Sequence, residues 1–173
     1  TVANNPLNSS LVDSGNGAGS FSFNPNFTQA GVYNVTFRVS DGGLLDTEVV
    51  QITVFNVNQA PVLDPIGAKT VAENSTLTFR VHATDVDGTP LTLTVANNPL
   101  NSNFVDSGNG AGSFTFNPNF TQAGVFNVTF RVSDGSLLDT EVVVITVTNT
   151  NRAPVLDSIG AKTVAENSNL TFR

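Results

Sequence analysis

Hydrophobic and polar side chains alternate one by one along several stretches of the chain. Residues 32–40 place Tyr, Val, Phe and Val on one side and Asn, Thr, Arg and Ser on the other, and 47–54, 76–84, 124–133 and 139–148 behave in the same way. Strict alternation of this kind is typical of a β-strand with one buried face. No stretch has the period of an amphipathic helix, so the pattern predicts an all-β fold.

Turn-forming residues separate the predicted strands at intervals of about 8 to 12 residues. Gly, Asn, Asp and Pro cluster at 14–19, 24–26, 41–43 and 85–90. The remaining predicted strands are short or irregular: 62–72, broken around Pro65 and Gly67; 91–97; a weak strand near Phe104; and 113–117. About seven short antiparallel strands with this spacing predict an immunoglobulin-like (Ig-like) β-sandwich.

The chain repeats itself with a period of 93 residues. Residues 1–80 align with residues 94–173 without a gap, and 69 of the 80 aligned pairs are identical. A period of this length indicates tandem domains, because solenoid repeats are about 20 to 50 residues long. The predicted domains are the C-terminal part of one Ig-like repeat at 1–57, a complete repeat at 58–150, and the N-terminal part of the next at 151–173. We expect the chain to be a section of a longer array.

Composition narrows the classes of partner. The chain has no Cys, Met or Trp, so Phe, Val and Leu must form the core without disulfides. Only 12% of the residues are charged, about half of the usual fraction. The net charge of −7 and the seven scattered Lys and Arg argue against binding to nucleic acid or anionic membranes, which requires a basic surface. No apolar run approaches the 18 or so residues of a spanning helix, so we expect no membrane insertion of this segment.

Four short motifs give the chain a family resemblance. They are Ala72-Glu73-Asn74, the run 81–88 with its Asp-Val-Asp-Gly, Ser133-Asp134-Gly135, and the joint 151–156. Together they resemble the tandem cadherin-like and putative-Ig β-sandwich repeats of prokaryotic cell-surface or secreted proteins. The resemblance covers the whole chain in the 93-residue register. It implies an extracellular or cell-surface array of β-sandwiches that serves as a stalk, an adhesin shaft or a fibre.

The resemblance also implies a calcium site. By analogy with cadherin joints, Glu73, Asp85, Asp87 and Asp134 would supply carboxylate oxygens. Such oxygens suit Ca²⁺, which takes six to eight of them. In the partial repeats, Asp41 is the counterpart of Asp134 and Glu166 is the counterpart of Glu73.

The sequence departs from the cadherin pattern at two points. The linker 149–154 lacks the acidic residues of a cadherin linker and carries Arg152, and residues 121–124 read Thr-Gln-Ala-Gly where cadherins have Asp-Arg-Glu. A joint with three calcium ions is therefore not expected. Two alternatives remain, which are one weaker site near Asp85 and Asp87, or no metal, with Asp and Gly serving as turn formers.

The sequence predicts a protein that is not an enzyme. The single histidine, His82, is predicted to point outward from a strand, and a nucleophile needs a positioned base. Asp139 and Glu141 share one face of a strand, and we expect solvent to surround them. The glycine-rich run 15–19 lacks the Lys and the strand-to-helix context of a phosphate-binding loop.

Two functions stay open. The first is a structural component of an extracellular filament, fibre or surface stalk, whose partners are neighbouring repeats or copies of the same chain. In that case chains could complete each other's partial repeats head to tail by strand addition. The second is an adhesin module that binds carbohydrate or protein through loops at one end of the sandwich. Both copies keep the same loops, and neither shows a cluster of exposed aromatics of the kind that stacks on sugars. Phe27 and Phe120 are the best candidates for exposed aromatics, but we expect them to cap the core, so the sequence favours the first.

Overall fold

The computed structural model describes residues 1–173 and contains only β-strands as regular structure. The all-β prediction is therefore confirmed. In chain order the strands are β1 (Val2–Ala3), β2 (Ser9–Gly15), β3 (Ala18–Phe23), β4 (Gly31–Ser40), β5 (Leu45–Val54), β6 (Val62–Leu63), β7 (Lys69–Ala72), β8 (Leu77–Thr84), β9 (Thr92–Ala96), β10 (Ser102–Gly108), β11 (Ala111–Phe116), β12 (Gly124–Ser133) and β13 (Leu138–Thr148).

The complete repeat is a sandwich of two four-stranded sheets, with strand orders β10-β11-β8-β6 and β7-β13-β12-β9. Its core lies between them and includes Val81, Phe114, Phe130 and Ile145, all at 0% exposure. The side chains alternate between core and solvent along each strand, as the pattern of β12 shows most clearly. Because β6 and β7 are two halves of one broken strand, the sandwich has seven strands, and the predicted Ig-like fold is confirmed.

The first strand changes sheets within the repeat. Its first half, β6, pairs antiparallel with β8, whereas its second half, β7, pairs parallel with β13 in the other sheet. Between them Gly67 adopts a φ of 68°, which glycine tolerates best. A strand that leaves one sheet before it joins another loses its ladder partners, so its N–H groups need other acceptors.

Two carboxylates on β13 supply these acceptors. Asp139 accepts a hydrogen bond from the Leu63 N–H at 2.9 Å. Glu141 accepts one from Ile66 at 2.9 Å and one from Gly67 at 3.0 Å. The two side chains do share one face of the strand, but they are half-buried and bind backbone, where the sequence predicted solvated carboxylates.

The predicted weak strand near Phe104 is a full strand of seven residues, β10. It forms a hairpin with β11 through Asn109 and Gly110, whose φ angles of 52° and 71° suit a two-residue turn that needs positive φ at both positions. A Cβ on Gly110 would overlap the carbonyl oxygen of Ala83. This glycine therefore serves both the turn and the close approach of β8.

Residues 1–57 form the corresponding half of a second sandwich. Their sheets are β1-β4-β5 and β2-β3, and counterparts of β6, β7 and β8 do not cover them. Val50 is 36% exposed and its counterpart Val143 is 1% exposed.

Residues 151–173 contain no strand and are exposed along their whole length.

Candidate functional site

The linker that enters the complete repeat is hydrogen-bonded to two of its carboxylates. Asn58 donates from Nδ2 to Oδ2 of Asp134 at 2.8 Å. The backbone N–H of Gln59 donates to Oδ2 of Asp87 at 2.6 Å. Both acceptors lie in loops, one after β8 and the other after β12. The repeat therefore binds its entering linker through side chains that the sequence marked as calcium ligands.

The linker that leaves the repeat is bound by Glu73, whose exposure is only 3%. Its Oε1 accepts a hydrogen bond from the Ala123 N–H at 3.1 Å, and its Oε2 accepts one from the Thr150 N–H at 2.9 Å. Asn74, the next residue, has a φ of 57° and donates its N–H to the carbonyl of Pro118 at 2.7 Å. This turn directs Glu73 inward and leaves no oxygen of its carboxylate without a donor.

The four predicted calcium ligands therefore lie at two ends of the sandwich. Ala123 precedes β12 and Asp134 follows it, so the ten residues of that strand, about 33 Å in length, separate the Glu73 end from the Asp134 end. Asp85 and Asp87 lie at the Asp134 end, because Asp87 contacts the same linker. No group of three or more His, Cys, Asp or Glu side chains is arranged to hold a metal ion. The four-residue set stays a prediction for a joint between repeats and is not one cluster within a repeat.

The loop between β8 and β9 contains three buried oxygens without a donor. They are Oδ2 of Asp85, Oδ1 of Asp87 and Oγ1 of Thr89. The other oxygen of Asp85 accepts the Asp87 N–H at 2.7 Å, which tightens the loop. A buried polar atom without a partner is costly, and hard oxygens of this kind are ligands that Ca²⁺ prefers.

Sequence reasoning missed Thr89. The signal was present, since residues 85, 87 and 89 follow each other at intervals of two. A threonine is too common in this chain to mark a ligand by itself. The structure shows its hydroxyl as a third buried oxygen of the same loop without a hydrogen-bond partner.

Backbone donors lower the pKa of Asp134. The Leu137 N–H has the largest effect, followed by the Asn58 side chain and the Ser136 N–H. The counterpart Asp41 also has a lowered pKa, through the N–H groups of Leu44 and Gly43. Of the two, Asp134 alone has a linker side chain among its donors.

His82 lies half-exposed on β8, and its Nδ1 is 2.7 Å from Oδ2 of Asp64. Asp64 also donates its backbone N–H to the carbonyl of His82 at 2.8 Å. The histidine is at the surface as predicted, but it has a defined partner there. This pair joins the residue after β6 to the neighbouring strand β8.

The complete seven-stranded sandwich has a linker bound at each end, and residues 1–57 repeat part of its strand pattern. Together they define a tandem Ig-like module. A family model described as bacterial Ig domain matches residues 58–148, more than half of the chain. The chain belongs to that family, as the sequence resemblance to prokaryotic Ig-type repeats predicted. No curated protein sequence is detectably similar to it.

Several solved structures contain similar folds. An endo-fucoidan hydrolase of glycoside hydrolase family 107, MfFcnA4, is 24% identical over 87% of this chain and 24% of its own, with a TM-score of 0.48. The titin domains z1z2 in complex with telethonin are 14% identical over 84% of this chain and 74% of theirs, with a TM-score of 0.45. A variant of the SrpA adhesin from Streptococcus sanguinis is 11% identical over 54% of this chain and 58% of its own, with a TM-score of 0.43.

The prediction that the protein is not an enzyme was wrong as a statement about the whole protein. Similar structures include endo-fucoidan hydrolases, and this chain spans about a quarter of their length. The structure contains no helix that is long and apolar enough to cross a membrane.

We predict that Glu73→Gln lowers the free energy of unfolding by about 1–3 kcal/mol, because a buried carboxylate that accepts two N–H groups is replaced by a neutral amide that brings its own donor. The measurement is urea denaturation of the 173-residue chain. Glu166→Gln is the matched control, since Glu166 is the exposed counterpart, and we expect a change within about 0.5 kcal/mol. Equal effects of the two substitutions would contradict the role of Glu73.

We predict that Asn58→Ala raises the pKa of Asp134 towards 3.8, its ordinary value, and leaves that of Asp41 unchanged. The lowered pKa means that the stabilisation by ionised Asp134 is complete above pH 3.8 and is lost as the pH falls through the folded-state value. Carboxyl ¹³C NMR titration of both aspartates would measure this. An unchanged Asp134 pKa in the variant would show that Asn58 does not bind it in solution.

Proposed function

We propose that the chain is a stiff section of an extracellular stalk or fibre on a bacterial surface. One observation carries the proposal, which is that linker residues on both sides of the complete repeat are hydrogen-bonded to carboxylates of that repeat. Asn58 and Gln59 are bound on the entering side, and Thr150 is bound on the leaving side. A linker bound in this way has lost much of the freedom that makes interdomain segments flexible.

The leaving linker has a second contact that supports the proposal. The guanidinium of Arg152 lies 4.4 Å from the centroid of the Phe120 ring, within the range of a cation–π interaction. Phe120 is half-buried, whereas its counterpart Phe27 is 59% exposed. The counterpart of Arg152 is Gln59, which cannot make this contact, so the linker after residue 150 is held by an interaction specific to that joint.

An adhesin function is the alternative, and the surface gives it less support. Carbohydrate recognition by aromatic stacking needs several exposed rings near each other. Among the turn aromatics, Phe27 is exposed but Phe120 lies under Arg152. The observed contacts thus favour a mechanical role for the linkers over a binding role for the loops.

The proposal predicts a narrow distribution of distances across the joint at 56–61. The chain has no cysteine, so Thr47→Cys and Thr140→Cys, two exposed counterparts on β5 and β13, allow specific spin labelling. Double electron–electron resonance on this variant should give one narrow peak. A broad distribution in the otherwise unchanged chain would overturn the stiff-stalk proposal.

The matched comparison adds Asn58→Ala to the labelled chain. Loss of the hydrogen bond to Asp134 should widen the distance distribution without a change in the fold of either repeat, as checked by circular dichroism. Asn34→Ala is the control, because Asn34 is an exposed residue outside the joint. It should leave the distribution unchanged.

We also propose one calcium site at the entering joint, formed by Asp85, Asp87 and Thr89. Their three unpaired buried oxygens support it. The second oxygen of Asp87 accepts the N–H of Gln59. An ion bound in the loop would therefore be connected to the linker through the Asp87 carboxylate. Glu73 and Asp134 are left out of this site because Glu73 lies at the opposite end of the sandwich and because, unlike Asp85 and Asp87, neither has a buried oxygen without a hydrogen-bond partner.

We predict that CaCl₂ at about a hundredfold excess over its Kd stabilises the EDTA-treated chain by about 2.7 kcal/mol, a rise in Tm of about 10 °C or more for a domain of this size. Differential scanning calorimetry would measure it. Asp87→Asn should abolish the rise, and Asp157→Asn, a change at an exposed residue, should preserve it. An unchanged Tm at about 10 mM Ca²⁺ would show that the three oxygens bind no calcium.

A further inference from the structure

The crossing of the first strand leaves a cleft on the side of the complete repeat. After β6 the chain runs through Asp64, Pro65 and Ile66 before it joins the other sheet at β7. These three residues and the side chains of Arg80 and His82 line a space of about 420 Å³. Pockets that bind small ligands begin at about 300 Å³, so the cleft can hold a molecule of the size of one sugar ring.

The edge of β8 is open at this cleft. The Asp64 N–H donates to the carbonyl of His82 at 2.8 Å, so the peptide groups of His82 face the first strand. In an antiparallel strand the peptide groups of every second residue face the same side, and those of Arg80 therefore face the first strand as well. Pairing between β6 and β8 covers only Val62 and Leu63, so the backbone N–H of Arg80 is available to a ligand.

The guanidinium of Arg80 has no acidic partner. The one ion pair of the chain joins His82 to Asp64, and the residue opposite Arg80 on β11 is the neutral Ser113. Arg80 is exposed, and its planar fork of N–H donors matches the two oxygens of a carboxylate. The cleft therefore contains a cation that can pair with an anionic ligand.

The pair of His82 and Asp64 adds two acceptors to the cleft. Nδ1 of His82 lies 2.7 Å from Oδ2 of Asp64. Because a carboxylate only accepts, Nδ1 carries the proton, and Nε2 of the neutral ring is an acceptor. Only Oδ2 of Asp64 is engaged by the histidine, so Oδ1 is a second acceptor. Arg80 and His82 are two residues apart on one strand, about 6.6 Å between their Cα atoms, so the cation and the acceptors lie close enough to contact one small ligand.

We propose that this cleft binds a uronate, a sugar whose ring carries one carboxylate and several hydroxyl groups. The carboxylate pairs with the Arg80 guanidinium, and hydroxyl groups donate to Nε2 of His82 and to the Asp64 carboxylate. The C–H face of the ring packs on Pro65 and Ile66, which form the apolar part of the lining. The repeat thereby gains a contact with acidic polysaccharide on its side, and the stiff-stalk proposal does not depend on that contact.

The groups in the cleft distinguish a uronate from other anions. A peptide carboxylate brings no hydroxyl groups beside it and leaves the acceptors of His82 and Asp64 unused. A multiply charged group such as a phosphate is repelled by Asp64 and by Glu141, whose carboxylate binds the N–H groups of Ile66 and Gly67 next to the cleft. A single carboxylate with neighbouring hydroxyl groups matches both the cation and the acceptors.

Titration of the 173-residue chain with trigalacturonate, followed by ¹H–¹⁵N NMR, tests the proposal. EDTA in the buffer removes Ca²⁺ and so separates this cleft from the loop 85–89. The backbone amides of 66–67 and 79–83 should shift and reach saturation. Neutral galactotriose should cause no shift at these amides. Acetate and amidated triglutamate, which carry carboxylates without hydroxyl groups, should bind at least about tenfold more weakly, because they leave the acceptors unpaired.

Two matched arginine variants locate the site. Arg80→Gln should weaken trigalacturonate binding about tenfold or more, because the ligand carboxylate loses its charged donor. Arg131→Gln removes the same charge from an exposed position on β12, in the other sheet, and should leave binding unchanged. Both arginines are exposed, so both variants should keep the fold, as circular dichroism would check. Four outcomes would overturn the proposal: no saturable shift at these amides, equal shifts with galactotriose, equal affinity for triglutamate, or equal losses in the two variants.

Discussion

Hydrogen bonds from backbone N–H groups to carboxylates hold the parts of this repeat that regular sheet pairing does not reach. Asp139 and Glu141 bind the crossing first strand, Asp106 binds the start of β9 at Leu93, and Glu73 binds the leaving linker. An ionised acceptor makes such bonds shorter and stronger than neutral pairs. Several of the acidic side chains behind the net charge of −7 therefore have a structural role in binding the backbone of the repeat.

The few differences between the two copies are most frequent from the end of β5 into the joint. Of the 11 mismatched positions among the 80 aligned pairs, four lie within residues 51–60 and their counterparts. Two of these replacements, Val57 by Thr150 and Gln59 by Arg152, add the hydroxyl that contacts the Glu73 carbonyl and the cation over Phe120. Successive joints of the array are therefore chemically distinct even though the sandwiches are nearly the same.

The strands could be predicted from sequence where alternation was strict. The prediction of 124–133 matches β12 residue for residue, and that of 139–148 differs from β13 by one residue at its start. Prediction failed where tertiary contacts decide the structure. The glycine-rich run 14–19, which was predicted as a turn, lies partly in strands, because Gly15 pairs with Ala18 and Gly19 pairs with Asp13. A glycine-rich run viewed alone indicates only a turn.

The candidate site was less accessible to sequence reasoning than the fold. Asp85 and Asp87 could be named from their motif, but the acceptor roles of Asp139 and Glu141 depend on a strand 75 residues away. Whether a carboxylate is solvated, binds backbone or faces a cation is decided by its neighbours in space. The sequence supplies the oxygens, and the fold determines their donors.

The crossing first strand is also the part of the repeat that can separate most readily. Its halves have only two and four residues in sheet pairing, and they contribute Leu63 and Val71 to a core that the other strands largely form. Segments with few buried contacts open at a lower free-energy cost than the rest of a domain. Near-identical neighbours have equivalent positions for this strand, so exchange between repeats requires its release from each of them, and the carboxylates that bound it remain in place to accept an identical replacement.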